Sequence, residues 1–368
     1  MNSEADSRAT SSVLNDNLRN VQAGWLRLEE DRVRRFIAAQ PEVAGRVGRL
    51  SIGYPTSGQG ISNGIAFLSA DIDSGRGMEQ RELVVRYAPG ATLLKQKTFS
   101  DEYLTMKSVE AAGIPAPKML WLDAEGDGLG AKGYIMERIF GDIPASSMFS
   151  AGLLAEAEAE TRKALMLEAV GFHGRVRRAA VGPERVPHLV TRGSGATPVE
   201  REVNWWLEET RQNLPDGNDM LRRLRSAAAW LRAHQPALRP ATLVHGDAQL
   251  CNLIYRDGKV IAALDWELAY LGHGEVDLAV AIWLTRLQQM AVPDLQGVPS
   301  EAEFITRYED ESGAPVEHYA YMKLLQLYKL CSVLTASAPT MPSFEQFWEL
   351  NWSELEKIWS ECRGEYGG

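Results

Sequence analysis

An aspartate, an asparagine and a second aspartate stand in a spacing suited to phosphoryl transfer from a nucleotide. Asp247 closes the run Leu243-Val244-His245-Gly246-Asp247. Asn252 follows five positions later, and Asp265 comes thirteen beyond that, in Ala262-Ala263-Leu264-Asp265-Trp266-Glu267. Such a transfer needs one carboxylate to meet the acceptor hydroxyl. It also needs an amide oxygen and a second carboxylate to hold magnesium against the phosphates. Asp247 suits the first task, Asn252 and Asp265 the second. The plainer alternative makes His-Gly-Asp an ordinary loop and Asp265 a helix N-cap.

The elements around these residues must bring them together. Residues 252–255 and 259–264 are apolar enough for strands, and they flank the turn signal Arg256-Asp257-Gly258. The spacing therefore predicts an antiparallel hairpin, which returns its far end beside its near end. Asn252 starts one arm and Asp265 ends the other, so two oxygen ligands can converge on one hard cation. Asp247 lies on the loop just before.

Three stretches carry a family resemblance: His245-Gly246-Asp247-x4-Asn252-Leu253, then Leu264-Asp265-Trp266-Glu267, then Leu271-Gly272-His273-Gly274-Glu275-Val276-Asp277-Leu278-Ala279. With them the chain resembles the aminoglycoside phosphotransferase family of phosphotransferase enzymes. Within it, the chain is similar to a subgroup resembling the kinase-like domain fused to some acyl-CoA dehydrogenases. The resemblance spans roughly residues 45–360. It implies an α+β, two-lobed protein-kinase-like fold, with a small antiparallel-sheet N-lobe and a mostly helical C-lobe. It also implies that Asp247 is the catalytic base, that Asn252 and Asp265 bind Mg2+, and that His245 and Asp277 brace the loop. Asp277 as a plain helix-start acid remains the other reading.

Upstream, Ser57-Gly58-Gln59-Gly60-Ile61-Ser62-Asn63-Gly64 forms a glycine-rich turn before a strand. Backbone amides and small hydroxyls approach phosphate closely only without bulky Cβ groups. By resemblance Gly60, Ser62 and Asn63 cover the nucleotide phosphates; a simple glycine-rich hairpin is the alternative. The strand at residues 82–87 ends in Arg86, where most kinases have Lys. Arginine is permanently charged and grips oxygens bidentately, so it can serve. A solvated strand-end arginine is the other reading, and Lys95 or Lys97 are rival cations. A helix over residues 97–112 carries Glu102, the partner for Arg86 by resemblance, with Glu110 as the alternative acid. Met136-Glu137-Arg138-Ile139-Phe140-Gly141 resembles the hinge between lobes, where the Glu137 carbonyl and the Ile139 amide would bond the base of ATP or GTP.

The chain has 368 residues and is 45% hydrophobic, enough for a sizeable core in more than one lobe. The expected divisions are an N-terminal extension and helix at 1–45, a nucleotide-binding lobe at 46–140, and a catalytic and acceptor-binding lobe at 141–368. A net charge of −10 argues against nucleic acid as the main partner. Three widely spaced cysteines suggest a reducing compartment. Residues 1–20 lack the apolar core of a signal peptide, and no apolar run suits a membrane span, so a cytoplasmic location is expected. The six histidines lack metal-ligand spacing. His173 reads as a structural helix-end residue. Trp348, Trp352 and Trp359 recur at helical spacing, as core packing or as an aromatic wall of an acceptor pocket.

The expected activity is transfer of the γ-phosphoryl group of ATP or GTP to a hydroxyl of a small molecule. A hydroxyacyl-CoA-type metabolite is the favoured acceptor. An aminoglycoside or macrolide acceptor, or a nucleotide-binding scaffold without catalysis, are the alternatives.

Overall fold

The computed structural model describes residues 26–55, 63–90, 94–337 and 344–367. The chain forms two compact units. One takes its described residues from Met1–Tyr103, Lys118–Arg138 and Ser337–Phe344, and the other from Leu104–Pro117, Ile139–Ala336 and Glu345–Gly368.

The first unit is an antiparallel sheet with a helix against it. Strands β1 (Val47–Gly53), β2 (Gly64–Asp73), β3 (Met78–Tyr87), β4 (Met119–Asp123) and β5 (Gly133–Glu137) lie in the order β1-β2-β3-β5-β4. Alternate residues of β2 are buried, as a period of two dictates for a sheet with one covered face. Ala66, Leu68, Ala70 and Ile72 thereby join Val33 and Ile37 of helix α1 (Glu30–Ala38) in one core. Glu30 and Asp31 in the first turn of α1 and Arg35 in its last complement the helix dipole. Helix α2 (Phe99–Ala111) follows the sheet's third strand, and its Tyr103 hydroxyl donates to the Leu120 carbonyl at 3.0 Å.

The second unit is mostly helical. Helices α3 (Gly152–Glu156), α4 (Ala159–Ala179), α5 (Pro187–Val190), α6 (Pro198–Asn213) and α7 (Asp219–Ala233) precede strands β6 (Thr242–Val244), β7 (Leu253–Arg256), β8 (Lys259–Ala263) and β9 (Tyr270–Gly272). Helices α8 (Glu275–Gln289), α9 (Glu301–Ser312), α10 (Tyr319–Ser337) and α11 (Phe344–Tyr366) complete it. Local chemistry starts several of these helices. Capping boxes open α6 (Thr197 with Glu200) and α9 (Ser300 with Glu303), and Asn218 caps α7.

The periodic tryptophans of α11 are core residues. Trp348 and Trp352 are buried and stack at 5.2 Å between centroids, with the Arg223 guanidinium 4.9 and 4.8 Å from the two rings. Their burial favours the core-packing reading of their spacing over the aromatic wall. Among the described residues, no helix is long and apolar enough to cross a membrane.

The register of β2 and β3 sets Gly64 opposite Tyr87. A Cβ on Gly64 would lie 2.5 Å from the Tyr87 ring, whose hydroxyl donates to the Leu26 carbonyl at 2.8 Å. Gly64→Ala must therefore push the ring aside. The expected cost is about 1–3 kcal/mol, typical of overpacking a filled site. Chemical denaturation with a sheet-specific probe measures it; an unchanged midpoint would show that the ring has room to move.

Candidate active site

The loop after β6 is built around one buried carboxylate. Asp277, in the first turn of α8, accepts the backbone N–H groups of His245 and Gly246, each at 2.9 Å. His245 Nε2 donates to the Leu264 carbonyl at 2.9 Å, and the Asp247 amide donates to His245 Nδ1 at 3.2 Å. One ring nitrogen thus donates while the other accepts, which is the neutral imidazole. Burial depresses the His245 pKa, in keeping with that form. Its ring rests 4.5 Å from Trp266 and 5.6 Å from His173, centroid to centroid. His173 is itself buried in α4 and held well below the ordinary histidine pKa by burial. It packs against the loop as a structural residue.

Asp247 follows on this fixed backbone. Its Oδ1 accepts the Gln249 amide at 2.8 Å, and its Oδ2 accepts Asn252 Nδ2 at 3.0 Å. The same Asn252 nitrogen reaches the Asp247 carbonyl at 3.0 Å. Burial pushes the Asp247 carboxyl up, and the charge of Asp265 adds to the rise. Burial, with the charges of Asp247 and Asp265, pushes the Cys251 thiol up to about 12, which keeps it a thiol rather than a thiolate at neutral pH.

β7 and β8 pair antiparallel, with Leu253 opposite Ala263, and the Leu264 amide donates to the Asn252 carbonyl at 2.8 Å. Asp257 and Gly258 turn the hairpin at φ 50° and 74°, the left-handed pair a tight hairpin turn requires. Asn252 and Asp265 therefore flank its open end. Asp265 adopts φ 62° and ψ 55°, a left-handed conformation uncommon outside glycine. An amide oxygen and carboxylates form a donor set for a hard divalent cation. Because the Asn252 nitrogen is turned to Asp247, its amide oxygen is the atom left for such an ion.

In the first unit, β3 presents Arg86 opposite Ile65 of β2 and Tyr134 of β5. Arg86 Nη1 stands 3.2 Å from Glu102 Oε1 of α2, both side chains almost wholly buried. Asn63 is buried where β2 begins. Glu137 ends β5 with its carboxylate 2.9 Å from Arg81, and Ile139 opens the segment that continues into the second unit. Gly60 and Ser62 lie outside the described residues.

Reasoning from sequence overlooked three side chains here. Lys329 of α10 donates from Nζ to the Gly246 carbonyl. Arg192 donates to the carbonyls of Leu268 (2.9 Å) and Ala269. Glu202 of α6 lies 3.5 Å from Arg192 and accepts the Trp206 indole N–H at 2.7 Å. A lysine inside the apolar pattern of α10 was the one available signal; Arg192 sits in a loop with none.

Comparison with known proteins agrees with this architecture. The family model described as "Phosphotransferase enzyme family" (APH) matches residues 59–324. A curated relative, acyl-CoA dehydrogenase family member 10 of Mus musculus, is 27% identical over 271 residues, covering 70% of this chain and 24% of its own. A match to family member 11 of Rattus norvegicus covers 67% of this chain and 32% of that protein at 25% identity. The chain thus spans about a quarter to a third of the length of these relatives. Among solved structures, a candidate aminoglycoside phosphotransferase from Ralstonia eutropha JMP134 superposes with a TM-score of 0.62 at 21% identity, covering 90% of this chain and 99% of that one. The amicoumacin kinase hAmiN, in complex with AMP-PNP, Ca2+ and amicoumacin, gives 0.56 at 13% identity, covering 92% and 96%. At such identities the likeness is one of fold.

The fold is the two-lobed protein-kinase-like α+β fold. The chain belongs to the phosphotransferase enzyme family.

The buried histidines make stability sensitive to acid. Burial, aided by Arg177, holds His273 at about 4 against an ordinary 6.5. A depressed folded-state pKa means the unfolded chain binds the extra proton, so stability falls as pH drops from about 6.5 towards 4. For His273 the loss by pH 5 is expected on the order of 2 kcal/mol. Denaturation curves at pH 7 and pH 5 should show it, and His273→Gln should flatten the difference. An equal pH dependence in that variant would exonerate this residue.

Proposed function

We propose that this chain transfers the γ-phosphoryl group of ATP, or of GTP, to the hydroxyl of a small acyl-type metabolite such as a hydroxyacyl thioester. The observation that carries the reading is the grouping of Asp247, Asn252 and Asp265 around the open end of one hairpin. Asp247 takes or orients the hydroxyl proton. Burial and the neighbouring Asp265 make its carboxylate a better proton acceptor than an exposed aspartate. The Gln249 and Asn252 amides hold the carboxylate in one rotamer, so little reorganisation accompanies transfer. Asn252 and Asp265 hold Mg2+, which when bound neutralises charge on the phosphates. Arg86, oriented by Glu102, grips phosphate oxygens with a planar fork of donors. Gly60, Ser62 and Asn63 cover the phosphates, and the backbone at Glu137 and Ile139 bonds the base.

The choice of acceptor rests on the dehydrogenase-fused relatives and on the pairing of two acids in α11. A polycationic sugar wants clustered free carboxylates. Glu349 is already bidentate with Arg223 at 2.6 and 3.0 Å, and Glu354 pairs with Lys357 at 3.9 Å.

Asp247→Asn is expected to lower turnover by ~10²–10⁴-fold, the usual cost of losing a general base, with Mg-ATP affinity little changed. Asp265→Ala is expected to lose magnesium-dependent nucleotide binding in calorimetry. A D247N protein as active as wild type would remove Asp247 from the chemistry, and Mg-ATP binding at wild-type strength in D265A would move the metal elsewhere.

The acceptor is tested by offering 3- and 4-hydroxyacyl-CoA, kanamycin-type and erythromycin-type alcohols under matched Mg-ATP, with phosphorylation read by mass. A hydroxyacyl-CoA is expected to be the best substrate. Efficient phosphorylation of an aminoglycoside alone would overturn the choice, and silence on every acceptor would favour a nucleotide-binding scaffold.

A further inference from the structure

The loop bearing Asp247 packs tightly against the segment bearing Asp265 at Gly246. Its φ is 80°, and a Cβ there would lie 2.2 Å from the Leu268 carbonyl oxygen and 3.1 Å from Lys329 Nζ. At this crossing two cations take hold of backbone on opposite sides. Lys329 Nζ donates to the Gly246 carbonyl, one residue before Asp247. Arg192 Nη1 donates to the carbonyls of Leu268 and Ala269, three and four residues after Asp265.

Both cations belong to one buried cluster. Lys329 is 2% exposed, and its ammonium lies 5.4 Å from the Tyr270 ring and 5.6 Å from the Trp206 ring. The Arg192 guanidinium lies 4.2 Å from Trp205 and 5.4 Å from the other face partner, Tyr270. Glu202, also 2% exposed, is the nearby counter-charge, 3.5 Å from Arg192. Glu202, Asp247 and Asp277 all favour the charged form of Lys329, while burial and Arg192 oppose it. A buried ammonium is costly unless it is paired and bonded. A lysine buried at this crossing calls for a purpose that an apolar side chain of the same length would not serve.

We propose that Lys329, with Arg192, is a positioning residue that fixes the spacing between the Asp247 loop and the Asp265 segment through their backbone carbonyls. The inference rests on the assignment of Asp247 and Asp265 to the chemistry. Neither cation touches the reacting atoms; they set where two carboxylates stand. A displacement on the order of 1 Å at reacting groups can cost ~10²-fold in rate. The loss should therefore fall first on turnover and less on Mg-ATP binding, because Lys329 bonds the Gly246 carbonyl next to Asp247, whereas the contacts nearest Asp265 are those of Arg192.

The test compares K329M, K329Q and D247N with wild type in the full chain. Turnover is read on the best acceptor of the panel above and as slow ATP hydrolysis; amide hydrogen exchange is read along the whole sequence. K329M is expected to lose roughly 10- to 100-fold in kcat with KM for Mg-ATP little changed. Exchange is expected to quicken at residues 245–252 and 265–272 alone. K329Q keeps a donor near Gly246 and should recover part of the loss. If K329M does not fold, K329Q carries the same two measurements. Wild-type kcat in the folded variant, or exchange quickened evenly through the chain, would overturn the proposal. A D247N enzyme with full turnover would instead overturn the assignment of Asp247, and an inactive D247N beside an active K329M would sink this inference alone.

Discussion

A single carboxylate, Asp277, gives the second unit its working geometry. Its two oxygens accept two consecutive backbone amides, His245 and Gly246, at 2.9 Å each. Consecutive amides that point the same way do not belong to a regular strand. They exist here because Gly246 takes a left-handed φ of 80°, which also removes the side chain that would strike Leu268. Once that corner is set, His245 can reach Leu264 and Asp247 can receive the amides of Gln249 and Asn252. The carboxylate, the glycine and the histidine are one device, and each needs the other two.

Such a device is expensive in a low-dielectric interior. Burial pushes Asp277 and Asp247 upward and Lys329, His245 and His173 downward. The interior manages these groups in two ways. The histidines are kept neutral and spend their nitrogens on backbone or pack against aromatic rings. The charged groups are kept near opposite charge and bonded to peptide groups, with Asp277 on amides and Lys329 and Arg192 on carbonyls. Backbone is therefore the main currency of this cluster. The direct ion pair is longer, 3.5 Å between Arg192 and Glu202. That pattern suits a site in which loop position, more than net electrostatic energy, has to be maintained.

The first unit solves a simpler problem by the same logic. Arg86 leaves the covered end of β3 and meets Glu102 from α2 at 3.2 Å. Strand and helix together hold a guanidinium in one orientation. A flat sheet edge alone would leave a long side chain free among many rotamers, at an entropic cost to any anion it binds.

How much of this was legible before folding follows from the range of each interaction. The hairpin β7–β8, its Asp257-Gly258 turn, the helix starts and the strand carrying Arg86 are local, and residue type within a few positions dictates them. Asn252 and Asp265 could be placed at one hairpin end because antiparallel pairing leaves little choice. The Arg86–Glu102 pair was reached through family likeness, since Glu110 on the same helix was the rival acid. Lys329 and Arg192 could not be read, because their partners lie 83 and 76 residues away. The tryptophans of α11 were equally ambiguous, as helical spacing marks a face without saying what covers it. The sequence by itself determined which chemical groups the chain carries and the local turns that group them. Tertiary packing alone decided which buried charges clamp those turns, because a side chain's partner across a core depends on every helix between them.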